Sequence, residues 1–391
     1  MNSTFQRLIS EATRLAHEAK AQALAAGGKN PTQPMASPAF QNSMAEVARL
    51  MQGGNLQAAT AAIQAALGGA ALPASADSDF NVIDVEAHEV GHAAAQQPEP
   101  PPPAVKPGPA GQFISGSHTE GTAGSRDYKL FIPPASFTEP LPLVVMLHGC
   151  TQNPDDFAAG TGMNEAASKR GFYVLYPAQT AHANSSGCWN WFKHNHQKRG
   201  RGEPVLLAGM TKGVLARYNI DPQRVYVAGL SAGGAMAAIL GDAYPDLFAA
   251  VGVHSGLATG SASNLQTALG VMQTGAAALP ARAKASPPTI VFHGDEDATV
   301  NPVNGEHVVA ASAGVHKPEM TRTQSANGRD YTRRVYKEAG GRVLAEHWAV
   351  HGAGHAWSGG STRGSYTDGS GPDASEEMLR FFLTNTLPAK H

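Results

Sequence analysis

From residue 111 onward, short apolar runs alternate with segments of helical periodicity. The run from Leu143 to Leu147 contains no polar residue, which is typical of a strand that is buried on both faces of a sheet. Other apolar runs of similar length predict further strands. The predicted strands are residues 128–132, 143–147, 172–176, 225–228, 249–253, 289–292 and 343–350.

The segments between these strands carry signals for helix starts and breaks. Asn153 is a candidate N-cap because Pro154 follows it at the first helical position. Asp373 and Glu376 resemble a capping box. The predicted helices are residues 154–169 with a break at 160–162, 204–218 and 374–387. This alternation predicts an α/β fold, with a mostly parallel sheet covered by helices on both faces.

Residues 1–94 follow a different pattern and predict a helical N-terminal extension that is partly disordered. Such an extension can pack loosely and help self-association, or it can attach the protein to a hydrophobic surface such as a polymer granule or a membrane. Seven prolines within residues 95–110 favour an extended linker. We therefore place the α/β domain at residues 111–391.

Composition and charge indicate a globular protein and argue against a nucleic-acid-binding or membrane-spanning one. With 391 residues, 42% of them hydrophobic and 15% charged, the chain is long enough for one large domain and an extension. A formal net charge of −2 argues against nucleic acid as the main partner. No transmembrane segment is predicted, because no apolar run reaches about 18 residues. The N-terminus lacks a positive region followed by an apolar core, so no Sec signal peptide is predicted.

The segment from Gly229 to Gly233 reads Gly-Leu-Ser-Ala-Gly and joins a predicted strand to a run of small residues with helical character. A Gly-x-Ser-x-Gly in this position is typical of the nucleophile elbow of α/β-hydrolases. The turn is so sharp that side chains two positions before and after the serine would collide. Ser231 is therefore the candidate nucleophile, and the alternative is a tight glycine turn with an incidental serine.

A serine nucleophile needs a histidine base and a carboxylate that orients the base. In α/β-hydrolases these residues follow in the order serine, acid, histidine. Asp297 is favoured as the acid over Asp295 and Glu296, because it lies deeper in its loop and can turn back toward a neighbouring strand. His355 is favoured as the base over His351, which lies nearer the end of its strand.

The negative oxygen of a tetrahedral intermediate needs backbone donors that are already in place. The first predicted donor is the N–H of Ala232, which follows the nucleophile at a helix N-terminus. The second is the N–H of Cys150, because Gly149 lets the backbone approach the substrate. His254 lies at another strand end and is predicted to be structural or to line the pocket.

Metal chemistry is the main competing class. His88 and His92 match His-Glu-x-x-His, which binds zinc when it lies on a helix. Gly91 lies inside the motif, the proline-rich linker follows closely, and no third ligand is evident. No paired-cysteine zinc spacing is present, and no Gly-x-Gly-x-x-Gly follows a strand. No metal or other cofactor is therefore predicted.

Four segments together are more distinctive than any one motif. They are Leu-His-Gly-Cys-Thr-Gln at 147–152, Cys-Trp-Asn-Trp-Phe at 188–192, Gly-Leu-Ser-Ala-Gly-Gly at 229–234 and Gly-His-Ala-Trp-Ser-Gly-Gly at 354–360. Over residues 112–388 the chain resembles the polyhydroxybutyrate depolymerase-like esterases, a family related to feruloyl and acetylxylan esterases.

The resemblance implies an α/β-hydrolase fold with a catalytic triad of Ser231, Asp297 and His355. It implies hydrolysis of short-chain hydroxyalkanoate esters, in polymer or oligomer form, through an acyl-enzyme. It also implies a disulfide between Cys150 and Cys188 in an oxidising compartment. An extracellular or periplasmic location follows from the resemblance, while a cytoplasmic one stays open because no signal peptide is predicted.

Alternatives remain for the tryptophans and for the substrate. Trp189, Trp191 and Trp357 can line a substrate pocket or pack in the core. The enzyme alternative is a feruloyl or acetylxylan-type carboxylesterase on the same scaffold. The non-enzymatic alternative is a surface- or granule-associated protein with a dormant hydrolase domain.

Overall fold

A computed structural model describes residues 111–277 and 286–388 of the chain. The predicted N-terminal extension, with its suggested role in surface association, lies outside the described residues, as do the proline-rich linker and the His-Glu-x-x-His motif. The domain boundaries at residues 94 and 110 therefore stay predictions. Within the described part of the chain, no helix is long and apolar enough to cross a membrane.

Ten strands of the described residues form one sheet, in the order β1-β2-β4-β3-β5-β6-β7-β10-β9-β8. The strands are β1 (Gln112–Thr119), β2 (Ser125–Ile132), β3 (Leu141–Leu147), β4 (Tyr173–Pro177), β5 (Ile220–Leu230), β6 (Ala250–His254), β7 (Thr289–Gly294), β8 (Pro318–Gln324), β9 (Asp330–Lys337) and β10 (Val343–Val350). The strands from β4 through β3, β5, β6 and β7 to β10 are parallel neighbours. Two antiparallel strands extend each edge.

The sheet is therefore mixed, with a parallel centre that matches the expected α/β arrangement. The antiparallel edge strands β1, β8 and β9 were not among the predicted strands. Every residue of β8 is exposed, so this strand has no buried face and shows no apolar alternation that sequence could reveal. A short parallel pair, β11 (Trp357–Ser358) and β12 (Thr367–Asp368), lies outside the large sheet.

Helices cover both faces of the sheet. The α-helices of the described residues are α1 (Pro154–Thr161), α2 (Met163–Arg170), α3 (Gly202–Arg217), α4 (Ala232–Ala243), α5 (Leu265–Thr274), α6 (Val303–Ala313) and α7 (Ala374–Phe382). Alternate residues of β3 enter two separate apolar clusters. Leu143 packs in the cluster with α3, α4 and α6, whereas Val144 packs in the cluster with α1, α2 and α7.

Local signals placed some helix ends well and others poorly. The side chain of Asn153 accepts a hydrogen bond from the N–H of Asp156 and begins α1 at Pro154, as predicted. Gly162 has a φ of 65°, a left-handed conformation that separates α1 from α2. The last helix ends at Phe382, five residues before the predicted end at residue 387. Helices α5 and α6 were not predicted.

Candidate active site

Ser231 stands at the turn between β5 and α4 with a φ of 57°, a left-handed conformation that is strained for a residue with a side chain. Its two flanking glycines have no room for a Cβ. A Cβ on Gly229 would lie 2.4 Å from the carbonyl carbon of Gly233, and one on Gly233 would lie 2.0 Å from the carbonyl oxygen of Leu147. Glycine is thus required by the turn itself and by the close approach of β3.

Asp297 and His355 meet beyond the ends of β7 and β10. Nδ1 of His355 lies 2.7 Å from Oδ2 of Asp297, and because an ionised carboxylate can only accept, Nδ1 is the donor. The other carboxylate oxygen accepts the backbone N–H groups of Thr299 and Val300 at 2.9 and 2.8 Å. The buried carboxylate is therefore fixed in orientation, and it leaves Nε2 of His355 to act as a base.

The charge of Asp297 is set by two opposing effects. Burial alone would raise the pKa of this carboxyl group, but the imidazoles of His293 and His355 outweigh it and hold the pKa well below its usual range. Nε2 of His293 lies 3.4 Å from Oδ2 of Asp297 and 2.8 Å from the carbonyl oxygen of Val300. Asp297 therefore stays ionised in the buried site.

The rival acid and base of the sequence pair with each other. Oδ2 of Asp295 lies 2.7 Å from Nδ1 of His351, and its Oδ1 accepts the N–H of Gly352 at 2.7 Å. Nε2 of His351 is 2.8 Å from Oγ1 of Thr332. This second pair joins the loop after β7 to the loop after β10, and it shares no partner with Asp297 or His355 in these hydrogen bonds.

The loop after β3 lies beside the nucleophile. A Cβ on Gly149 would lie 3.7 Å from Cβ of Ser231. Among the described residues, no hydrogen bond engages the N–H of Cys150 or that of Ala232. Both predicted oxyanion donors are thus without a hydrogen-bond acceptor within the described residues.

The buried side chain of His148 fixes the conformation of this loop. Nδ1 of His148 lies 2.8 Å from the carbonyl oxygen of Gly149, and its Nε2 accepts the N–H of Gln179 at 3.2 Å. Because the C=O and N–H of a trans peptide point in opposite directions, fixing the Gly149 carbonyl fixes the N–H of Cys150. Burial lowers the pKa of His148, so the imidazole stays neutral. A disulfide joins Cys150 to Cys188.

Backbone strain gathers around the same site. Four non-glycine residues of the described chain have a positive φ: Thr151, Ser231, Ser255 and Tyr366. Thr151 follows Cys150 in the loop after β3, and its Oγ1 lies 3.2 Å from the hydroxyl of Tyr366. Strained residues of this kind cluster at functional sites, where the surrounding structure enforces them.

The three predicted triad residues follow strands that end at one edge of the sheet. Ser231 follows β5, Asp297 follows β7, and His355 follows β10, all within the parallel centre. Within the described residues, no hydrogen bond joins Oγ of Ser231 to Nε2 of His355. Of the three predicted residues, His355 and Asp297 are hydrogen-bonded to each other. Hydrogen bonds between a nucleophile and its base are often long without substrate and shorten when it binds.

The three tryptophans lie in the interior. Trp189 and Trp357 are 0% and 1% exposed, and Trp191 is also buried. The indole N–H of Trp189 donates to the carbonyl oxygen of His148, and that of Trp357 donates to Oγ of Ser375. All three indoles are thus packed in the interior of the described residues, and their predicted contact with substrate stays a prediction.

Sequence reasoning did not single out the residues that support the site. Gln152 accepts the N–H of Gly149 at 2.9 Å, Gln179 donates to His148, and His293 contacts Asp297. Gln152 lies within the 147–152 segment, and His293 lies in β7, just before the loop that carries Asp297. Their roles come from contacts between distant segments, so no local pattern identifies them.

Comparison with known proteins gives a consistent set of relatives. The family described as Esterase PHB depolymerase matches residues 126–315. Poly(3-hydroxyalkanoate) depolymerase C of Paucimonas lemoignei is 34% identical over 57% of this chain and 56% of its own length. Poly(3-hydroxybutyrate) depolymerase of Ralstonia pickettii is 29% identical over 63% and 54%. The matched part thus spans about half the length of these two depolymerases.

Two further comparisons cover more of the relative. Feruloyl esterase B of Thermothelomyces thermophilus is 30% identical over 53% of this chain and 76% of its own length. The solved structure of acetyl xylan esterase from Aspergillus awamori has a TM-score of 0.55 and 19% identity, over 69% of this chain and 98% of that one. The structural likeness shows a shared fold.

Proposed function

Because the chain belongs to the polyhydroxybutyrate depolymerase-like esterase family, we propose that it is a serine esterase. Its proposed substrates are short-chain hydroxyalkanoate esters, as polymer or oligomer. The observation that carries the proposal is the 2.7 Å contact between His355 and Asp297, formed by two loops that lie downstream of an elbow serine. A histidine oriented by a buried carboxylate is what a serine nucleophile requires.

Acylation begins at the strained turn. Oγ of Ser231 attacks the ester carbonyl carbon while Nε2 of His355 takes its proton. Asp297 stabilises the imidazolium that forms, because its own pKa is held low and it remains charged. The bond to the leaving alcohol then breaks, and His355 returns the proton to the alcohol oxygen. The products of this half-reaction are an acyl-serine and a free alcohol.

The tetrahedral oxygen is held by backbone groups. In this proposal the N–H groups of Cys150 and Ala232 donate to the oxyanion in both half-reactions. Water then attacks the acyl-serine with His355 as the base, and Ser231 leaves as the alcohol. The carbonyl of the peptide that supplies the Cys150 donor contacts His148, and the loop around it is held by Gln152 and by the disulfide to Cys188.

A second substrate class has its own support. Feruloyl esterase B is matched over 76% of its length, more than either depolymerase. A feruloyl or acetylxylan-type esterase is therefore the alternative, with the same triad and a different pocket. An oxidising location, outside the cell or in the periplasm, is proposed for either activity because it would preserve the Cys150–Cys188 disulfide.

The test compares ester turnover by the full chain and by Ser231→Ala. We expect p-nitrophenyl butyrate hydrolysis by the unaltered protein and loss of it in Ser231→Ala, with Ser263→Ala as an exposed-serine control that keeps full activity. Equal turnover by Ser231→Ala would exclude the serine mechanism. An inactive wild-type chain that is folded would favour a dormant hydrolase domain. Hydroxybutyrate oligomers, feruloyl esters and acetylated xylan then separate the substrate classes.

A further inference from the structure

His254, the last residue of β6, contacts both halves of the catalytic arrangement. Its carbonyl oxygen accepts the backbone N–H of Ser231 at 2.9 Å. Its side-chain Nε2 accepts the backbone N–H of Ser358 at 2.9 Å. Ser358 lies three residues beyond His355, in the short strand β11 that follows the loop of His355. One residue thus joins the nucleophile turn, through its backbone, to the strand that follows the histidine loop, through its side chain.

The protonation state of His254 is determined by its partners. Nε2 faces an N–H donor, so the proton of the neutral ring lies on Nδ1, which is 3.2 Å from Oγ of Ser255. Burial, together with the nearby His293 and His355, lowers the pKa of His254 to about 3. The neutral ring is therefore retained at neutral pH, and Nε2 remains an acceptor.

Packing fixes the plane of the ring. The imidazole of His254 is stacked between Phe292 at 5.8 Å and Trp357 at 5.2 Å, measured between ring centroids. An apolar side chain could fill this space, but it could not accept the N–H of Ser358. Ser358 is 2% exposed, so that donor would be buried without a partner. The histidine therefore meets a requirement that packing alone does not impose.

We propose that His254 is a positioning residue of the esterase, which holds the loop of His355 in register with Ser231. The proposal rests on the proposed function, since it assigns a role within the same triad. His254 acts through the backbone of Ser358 and Ser231. Its loss should misplace the base relative to the nucleophile while leaving substrate binding largely intact.

The test uses two variants of similar size. His254→Gln can present an amide oxygen near the position of Nε2, whereas His254→Met fills the space without a comparable acceptor. Covalent titration with a fluorophosphonate counts the active sites, and kcat is then expressed per titrated site. We expect His254→Met to lose about 10- to 100-fold in kcat with KM changed less than about twofold, because a small misplacement is costly. His254→Gln should recover most of that loss.

His347 provides a matched control. It is also a buried histidine with a pKa that burial lowers to about 3, and its Nδ1 lies 3.1 Å from the guanidinium of Arg334. His347→Met should lower the melting temperature but leave kcat per titrated site unchanged. Equal kcat losses in the Gln and Met variants of His254, or none in the Met variant, would overturn the proposal.

A nuclear magnetic resonance measurement separates this proposal from the proposed function. The nitrogen shifts of His254 should show an unprotonated Nε2, and the Ser358 amide proton should be shifted downfield by its hydrogen bond. A protonated Nε2 would contradict the positioning role even in an active enzyme. Conversely, an Nε2 acceptor in a chain without ester turnover would leave the local geometry intact and count against the proposed function.

Discussion

Asp295 and His351 form a second aspartate–histidine pair, with 2.7 Å between Oδ2 and Nδ1, across the same two loops that carry Asp297 and His355. The two pairs differ in their surroundings. The side chain of Asp295 is 43% exposed and that of Asp297 is 0% exposed. The buried pair holds an oriented charge away from solvent, as the proposed triad requires, whereas the exposed pair joins the two loops.

Asparagine substitutions should separate the two pairs. We expect Asp297→Asn to lower kcat by about 10³- to 10⁴-fold, because an amide at this position no longer enforces the correct histidine tautomer. Asp295→Asn should lower kcat by less than about tenfold, since its effect reaches His355 only through the loop. Steady-state kinetics on a p-nitrophenyl ester measure both variants. The reverse order of losses would assign the acid role to Asp295.

Acid should destabilise the fold through its buried histidines. The pKa values of His254 and His347 are lowered to about 3, mainly by burial. In the unfolded chain each histidine binds a proton below about pH 6.5, whereas in the folded chain it stays neutral down to about pH 3. Lowering the pH through this range therefore favours the unfolded state, and the full stability is present above about pH 6.5. We expect the free energy of unfolding to fall by about 1.4 kcal/mol per pH unit for each histidine, as the pH drops from about 6.5 toward 3.

Urea denaturation at a series of pH values measures this slope. His347→Met should lower this slope by about 1.4 kcal/mol per pH unit, the contribution of one proton, because methionine does not titrate. An identical slope in wild type and His347→Met would mean that the pKa of His347 is the same in the folded and unfolded chain, which would contradict the prediction.

Alanine at two helical glycines should have opposite effects on stability. In Gly233→Ala the new methyl group would lie 2.0 Å from the carbonyl oxygen of Leu147, a backbone atom that can move only by separating α4 from β3. We expect a loss of at least about 2 kcal/mol and a large loss of activity. Gly270 in α5 is exposed, and a Cβ added there would meet no atom within 4 Å. Gly270→Ala should therefore add about 0.5–1 kcal/mol of stability.

Thermal unfolding and ester turnover of the two alanine variants make the comparison. Similar stability in both would show that the elbow can relax around a methyl group. In that case the close approach of the Leu147 carbonyl in β3 would not explain why residue 233 is glycine.

Removing the disulfide should affect stability and catalysis together. Cys150 carries a proposed oxyanion donor, and Cys188 lies 38 residues away in the loop of buried Trp189. Cys188→Ala combined with Cys150→Ala should cost about 2–4 kcal/mol of unfolding free energy. It should also lower kcat more than it raises KM, because the backbone N–H remains but is less firmly held. Unfolding and kinetics of the double variant, with and without reductant, provide the test.

Features that depend on short segments follow from the amino-acid sequence alone. The elbow at Ser231, the cap at Asn153 and the unbroken apolar run of β3 are each encoded within a few residues. Their physics is local: steric crowding in a turn, one hydrogen bond at a helix end, and burial on both faces. The order of Ser231, the loop of Asp297 and the loop of His355 along the chain is equally evident from the sequence.

The pairing of each aspartate with its histidine and the burial of the aromatic rings depend on tertiary contacts. Asp297 and His355 are 58 residues apart, and Asp295 and His351 are 56 apart, so both pairings depend on how β7 and β10 align. The burial of Trp357 and the double contact of His254 arise in the same way. The local sequence gives the chemistry of each side chain, whereas the alignment of neighbouring strands determines which side chains come into contact.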